Sequence, residues 1–171
     1  KTTAAQQLLD STIEVSEFVN ADNIAHDLDN TELQAGRIML SRLDNLADQK
    51  ANFAFETTLA SRTFAPWILK LFENGYLFHL FFLWLPNEEF AIQRVKNRVL
   101  MGGHNVPEET ICRRYHRGLK NFFELYSPIA HNWYFFDGSA SSPILIAYGQ
   151  EHHEKNVTHP AKWERIKESY K

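Results

Sequence analysis

Residues 76–85 (YLFHLFFLWL) are apolar at every position except His79, so a strand formed there carries hydrophobic side chains on both faces. Only a sheet covered by helices on both sides buries such a strand, and sheets of that kind are built from parallel strands with helical crossovers. The stretch is about half of what a membrane-spanning helix needs, which leaves a buried strand as its reading.

The rest of the chain alternates in the same sense. Residues 2–11 place Ala4, Ala5, Leu8 and Leu9 at helical spacing, and residues 13–19 approach the alternation of a strand. Thr31 and Gln34 form a capping box for a helix reaching Asp48, and residues 52–55 make a short strand. A helix over 59–73 stops at Asn74-Gly75. Pro86 opens a helix to Leu100, Gly102-Gly103-His104 breaks it, and Pro107 opens another to Tyr126. Residues 133–136 and 143–147 close the sheet, and a polar tail ends in a short helix over 161–170. This order predicts an α/β domain with a mostly parallel sheet and helices on both faces, without an internal boundary over residues 1–171. It begins with a helix, so a strand is expected upstream of it.

Composition supports a single folded domain. A chain of 171 residues buries roughly 70% of its unfolded surface. A hydrophobic content of 44%, including 13 Phe and 4 Trp, supplies the core. Net charge is -3 with no basic tract, which argues against nucleic acid as a partner. One cysteine, Cys112, excludes an internal disulfide framework and suits a reducing compartment. No run of 18 apolar residues occurs, so a cytoplasmic location without membrane insertion is expected.

Four segments carry candidate chemistry. Lys1-Thr2-Thr3 precedes a helix, where the end of a phosphate loop G-x-x-x-x-G-K-[ST] would lie, although these residue types also begin ordinary helices. Asp22 follows a strand end, the side of an open α/β sheet where ligands bind, and is either a helix cap or a general base. Glu56, Thr57 and Thr58 repeat that pattern after the next strand, with Arg62 one turn on. The hairpin over about 87–126 holds Arg94, Arg98, Arg113, Arg114 and Arg117 on two helices around a Gly-Gly hinge, the form of a lid whose guanidinium groups meet phosphate. The acidic and histidine cluster at Glu151–Glu154 lacks the i, i+4 histidine pair or cysteine pair of a zinc site, so no metal is expected there.

Together, Lys1-Thr2-Thr3, FVNAD at 18–22, FAFETTL at 53–59, FLWLP at 82–86, GGHNVP at 102–107, RRY at 113–115 and NFFELY at 121–126 resemble the zeta-toxin family of P-loop kinases. The likeness is greatest to its stand-alone bacterial branch, described as predicted ABC-type ATPases. The resemblance implies a P-loop NTPase fold of the nucleoside-kinase type with an arginine-rich helical lid. It implies ATP and Mg²⁺ as cofactors, and phosphorylation of a small-molecule hydroxyl, as on UDP-N-acetylglucosamine. Carried over by motif, Lys1, Thr2 and Thr3 would hold the nucleotide, with Thr2 on the metal. Asp22 would activate the acceptor, and Glu56, Thr58 and Arg62 would bind it. Arg98 and one of Arg113 or Arg114 would stabilise the moving phosphoryl group. The glycine-rich front of the loop is expected upstream of Lys1, and an antitoxin protein is an implied partner. A non-catalytic nucleotide- or partner-binding module, or an ATPase, is the alternative reading.

Overall fold

The computed structural model describes residues 15–20, 24, 32–103, 105–150 and 153–170. Lys1, Thr2, Thr3, Asp22, the expected first helix and Thr31 of the capping box lie outside the described residues. Two compact units are present, one drawn from Lys1–Thr57 and Arg98–His104, the other from Thr58–Asn97 and Asn105–Lys171. No helix among the described residues is long and apolar enough to cross a membrane.

Among its described residues the first unit holds a strand–helix–strand crossover. β1 (Glu17–Asn20) and β2 (Phe53–Glu56) pair in parallel, with Glu17 opposite Phe53 and Asn20 opposite Glu56. Between them in sequence runs α1 (Glu32–Asp48), long enough for the crossover that parallel pairing demands. Met39, Leu43 and Leu46 recur at i, i+4 and i+7 on α1 and are buried, as is Val19 of β1. Arg42 of α1 donates to the Glu17 carboxylate. After α1, Lys50 adopts φ 53° and the chain turns through bonds from Lys50 N to Ala47 O and from Ala51 N to Leu46 O, a Schellman closure without the usual glycine.

The second unit contains a four-stranded sheet of order β3-β4-β5-β6. β3 (His79–Trp84) lies parallel to β4 (Asn132–Asp137), whereas β5 (Ile144–Gln150) and β6 (His153–Val157) run antiparallel to their neighbours. Among the described residues each unit thus holds one parallel pair, and that of the second is extended by two antiparallel strands, so the sheet seen there is mixed where a mostly parallel one is expected. The cause is chain length: the stretch from Asp137 to Ile144 is too short for a crossover of a dozen residues, so β5 returns as a hairpin. β6 was not expected at all, because HEKNV is too polar to read as a strand; such charged residues suit an exposed edge.

The helices that follow, of which α3 gives its last residues from Arg98 on to the first unit, begin and end where local chemistry dictates. α2 (Phe64–Glu73) closes on Gly75, at φ 83°, with Tyr76 N donating to Leu71 O. α3 (Glu88–Leu100) is capped by the Asn87 side chain, which accepts from Phe90 N at 2.8 Å. α4 (Glu108–Asn121) passes into one π turn, Phe122–Tyr126, and a short 3-10 turn, Ser127–Ile129. α3 and α4 form the expected hairpin, running antiparallel with Lys96 paired to Glu108 at 2.8 Å and Glu88 to His116 at 2.9 Å. α5 (Pro160–Ser169) contributes Trp163 and Ile166 to the core.

That core is aromatic. Phe122 meets Phe82, Trp133 and Phe135 at ring separations of 4.9, 5.7 and 5.0 Å, and Trp163 stacks on Trp133 at 5.8 Å. Gly149 of β5 is needed here, since a Cβ on it would enter the Trp133 indole. Trp163→Ala removes a side chain only 2% exposed and is expected to cost about 3–5 kcal/mol in urea unfolding.

A histidine pair closes the opposite end of β3 and β4. His131 Nδ1 accepts from Phe78 N at 3.0 Å, and His79 Nδ1 lies 3.0 Å from Asn132 Nδ2. Burial, then the His131 charge, pushes His79 below the ordinary histidine value. A depressed value means that the unfolded chain takes up protons first. Stability is full above about pH 6.5 and is lost as pH falls below it, so the thermal midpoint should drop between about pH 7 and pH 5. His79→Gln should flatten that slope.

Candidate functional site

The carboxyl ends of β1 and β2 are held side by side by their parallel register. Asn20, 7% exposed, donates from Nδ2 to Glu56 Oε2 at 2.8 Å, so the carboxylate that ends β2 is oriented by the residue that ends β1. Asp22 follows Asn20 by two positions in the sequence. Arg98 belongs to this same unit.

Arg98 sits in the last turn of α3, where Gly103 N donates to Arg98 O and Gly102 N to Val99 O, both at 2.9 Å. Gly102 takes φ 87°, the left-handed value of a Schellman cap. The second glycine serves the arginine: a Cβ on Gly103 would lie 2.6 Å from Arg98 Cγ, so the side chain crosses the cap through space only glycine leaves. The Gly-Gly pair thus does more than interrupt the helix.

Thr58 and Arg62 belong to the second unit, on the exposed connection from β2 to α2. A helix was expected from about Leu59, but α2 starts at Phe64. Leu59 is buried with φ 57°, a left-handed conformation that no helix continues, and its carbonyl is taken by a side chain. Asn121 Nδ2 donates to Leu59 O at 2.8 Å and to Ala60 O at 3.3 Å, and Tyr126 Oη donates to Ser61 O. Gly118 lies so close that a Cβ would strike the Thr58 carbonyl oxygen.

The arginines divide by helix face. Arg114, Gly118 and Asn121 occur at i, i+4 and i+7 on α4, the face that meets residues 58–60, and Arg114 is half-buried. Arg113 and Arg117 are exposed, and Arg113 Nη2 donates to Thr110 Oγ1 of its own helix at 3.3 Å. Arg94 donates to the Gly138 carbonyl and stacks over Phe90, which makes it an anchor for the turn after β4.

Sequence reasoning missed three groups. Asn20 reads as a turn residue until its pairing with Glu56 is known. Asn121 and Tyr126 stand in a motif whose purpose needs the loop they hold. Asp137, 4% exposed at the end of β4, accepts from Ser139 N at 2.8 Å and from Lys162 Nζ. Burial works to raise the Asp137 carboxyl, but the Lys162 ammonium and the Ser139 donors together hold it below its ordinary value. Its signal was the turn sequence Asp-Gly-Ser.

The family model described as Zeta toxin matches residues 12–129, most of the chain. The chain belongs to the zeta toxin family. Zeta toxin domains have a P-loop kinase-like, nucleotide-binding fold, and the two parallel strand pairs are parts of such an α/β architecture. β4, β5, β6 and α5 lie beyond the matched span. An uncharacterized protein of Haemophilus influenzae is 29% identical over 84 residues, which covers 49% of this chain and 60% of that protein. The chain therefore spans less than two thirds of the length of the curated relative it matches. No solved structure matches the chain.

Asn20→Ala removes the buried amide that orients Glu56, and is expected to lower stability by about 1–2 kcal/mol in urea unfolding, whereas Asn20→Asp, which sets two carboxylates together, should cost more.

Proposed function

We propose that this protein is an ATP- and Mg²⁺-dependent phosphotransferase acting on a hydroxyl group of a small molecule, specifically a nucleotide sugar such as UDP-N-acetylglucosamine. The observation that carries this reading is the in-register closure of the β1 and β2 carboxyl ends, with Glu56 oriented by Asn20, inside a zeta toxin family domain. Ligands of open α/β sheets bind outside these strand ends.

The donor set of this chain suits such a nucleotide. Guanidinium groups on α3 and α4 offer planar, permanently charged donors for phosphate oxygens, and Mg²⁺ needs few protein ligands beside phosphates and water. Lys1 and Thr3 would hold phosphate and Thr2 would supply a hydroxyl to the metal. When bound, ATP with Mg²⁺ supplies the transferable phosphoryl group and neutralises its charge.

The remaining roles belong to the protein. Asp22 takes the proton of the acceptor hydroxyl. Glu56, Thr58 and Arg62 hold the acceptor, with Glu56 accepting hydrogen bonds from sugar hydroxyls. Arg98 and Arg114 stabilise charge on the moving group; Arg114 is preferred over Arg113 because it is half-buried and shares its helix face with the residues that hold the Thr58 loop. A cytoplasmic location and an antitoxin protein partner belong to the same proposal.

Incubation of the full-length protein with ATP, Mg²⁺ and a panel of nucleotide sugars should yield a phosphorylated sugar. Asp22→Asn should slow that transfer by roughly 10²–10⁴, the usual contribution of a general base, while nucleotide affinity stays unchanged. Absence of any phosphorylated product, with nucleotide binding intact, rejects the reading in favour of a non-catalytic module.

A further inference from the structure

The connection from β2 to α2 lacks regular structure, yet its backbone carbonyls have specific partners. Buried carbonyl groups must be satisfied, and a helix that began at Leu59 would satisfy them internally. Here Leu59 O and Ala60 O are met by one Asn121 amide, and Ser61 O by the Tyr126 hydroxyl. The Tyr126 oxygen also takes the Phe64 backbone N–H, at the first turn of α2, and feels the Arg62 charge. One phenol thus bridges the Ser61 carbonyl of the connection and the first amide of the helix.

Both residues are sealed from solvent, Asn121 at 4% and Tyr126 at 0% exposure. Their spacing explains the π turn between them. Five residues in an α-helix rotate by about 140° from facing one another, at 3.6 residues per turn. The wider i→i+5 turn over Phe122–Tyr126 reduces that angle, so Asn121 and Tyr126 reach the same strip of backbone. π turns of this sort are frequent at functional sites, and a buried non-glycine residue at φ 57° is strain that its surroundings must hold.

We propose that Asn121 and Tyr126 are positioning residues for the acceptor. They hold the connection in its non-helical form and so present Thr58 and Arg62 at the pitch that an acceptor requires. This rests on the acceptor role proposed for Thr58 and Arg62. Neither Asn121 nor Tyr126 exchanges protons or touches the phosphoryl group. Gly118 completes the clamp by letting α4 approach the Thr58 carbonyl. Without the clamp, residues 59–63 gain freedom to leave this conformation, which displaces Thr58 and Arg62.

Tyr126→Phe removes one hydroxyl from an otherwise unchanged ring, and Asn121→Asp keeps the volume while removing the donor. The full-length variants are to be compared with the parent in two measurements. Amide hydrogen exchange in the peptide covering residues 57–66 should accelerate roughly tenfold, the factor one such hydrogen bond commands, while peptides in β3 and β4 keep their rates. With ATP, Mg²⁺ and UDP-N-acetylglucosamine as the probe acceptor, KM for the sugar should rise roughly tenfold while KM for ATP is unchanged. Exchange that stays at the parent rate in both variants overturns the clamp. Faster exchange with an unaltered sugar KM overturns its role in presenting the acceptor. If the parent turns over no nucleotide sugar, the exchange measurement still decides the clamp, and the failure belongs to the proposed reaction. Should Asn121→Asp not fold, Tyr126→Phe alone carries both tests.

Discussion

Phe122 is the side chain on which the second unit turns. At 1% exposure it touches Phe82 of β3, Trp133 and Phe135 of β4, and its neighbour Phe123. It is also the first residue of the π turn, so the packing that anchors the sheet fixes the rotation of the helix end. Asn121 on one side and Tyr126 on the other are aimed at the β2–α2 connection because Phe122 cannot move. The clamp and the core are therefore one arrangement: close packing in the interior sets the geometry of polar groups at its margin.

In the first unit the corresponding constraint is backbone pairing. Four ladder positions of β1 and β2 bring Asn20 opposite Glu56, and the amide–carboxylate bond follows from that register. A shift of one residue would reverse the faces of the strand and dissolve the pair. Catalytic geometry at strand ends is inherited from ladders in this way, which is why carboxylates at such ends are productive places for chemistry.

Much of this was legible in the sequence. The apolar run at 76–85, broken only by His79, announced β3, Asn74-Gly75 announced the end of α2, and Pro107 with two glutamates announced α4; each signal is local and acts within a few residues. The helix breaks at 101–107 and the antiparallel α3–α4 hairpin were likewise readable. The start of α2 was legible only in part: Pro66, which is tolerated in a first turn and not deeper, sets the helix start close before it, whereas the partners of the Leu59, Ala60 and Ser61 carbonyls, Asn121 and Tyr126, stand some sixty positions away. β6 was invisible because its polarity suits an edge strand and a loop equally. The antiparallel return of β5 could have been inferred from the short Asp137–Ile144 connection.

The sequence by itself determined most of the element types, though not β6, together with the family and the inventory of charged groups, since periodicity, caps and motif order are properties of neighbouring residues. Tertiary structure alone decided which members of that inventory share a surface: that Asn20 serves Glu56, that the α4 face carrying Arg114, Gly118 and Asn121 is the one turned to residues 58–60, and that Gly103 is a passage for Arg98. The reason is physical. Adjacent arginines have equal propensity and equal charge, and only packing that rotates a helix to bury one face distinguishes them.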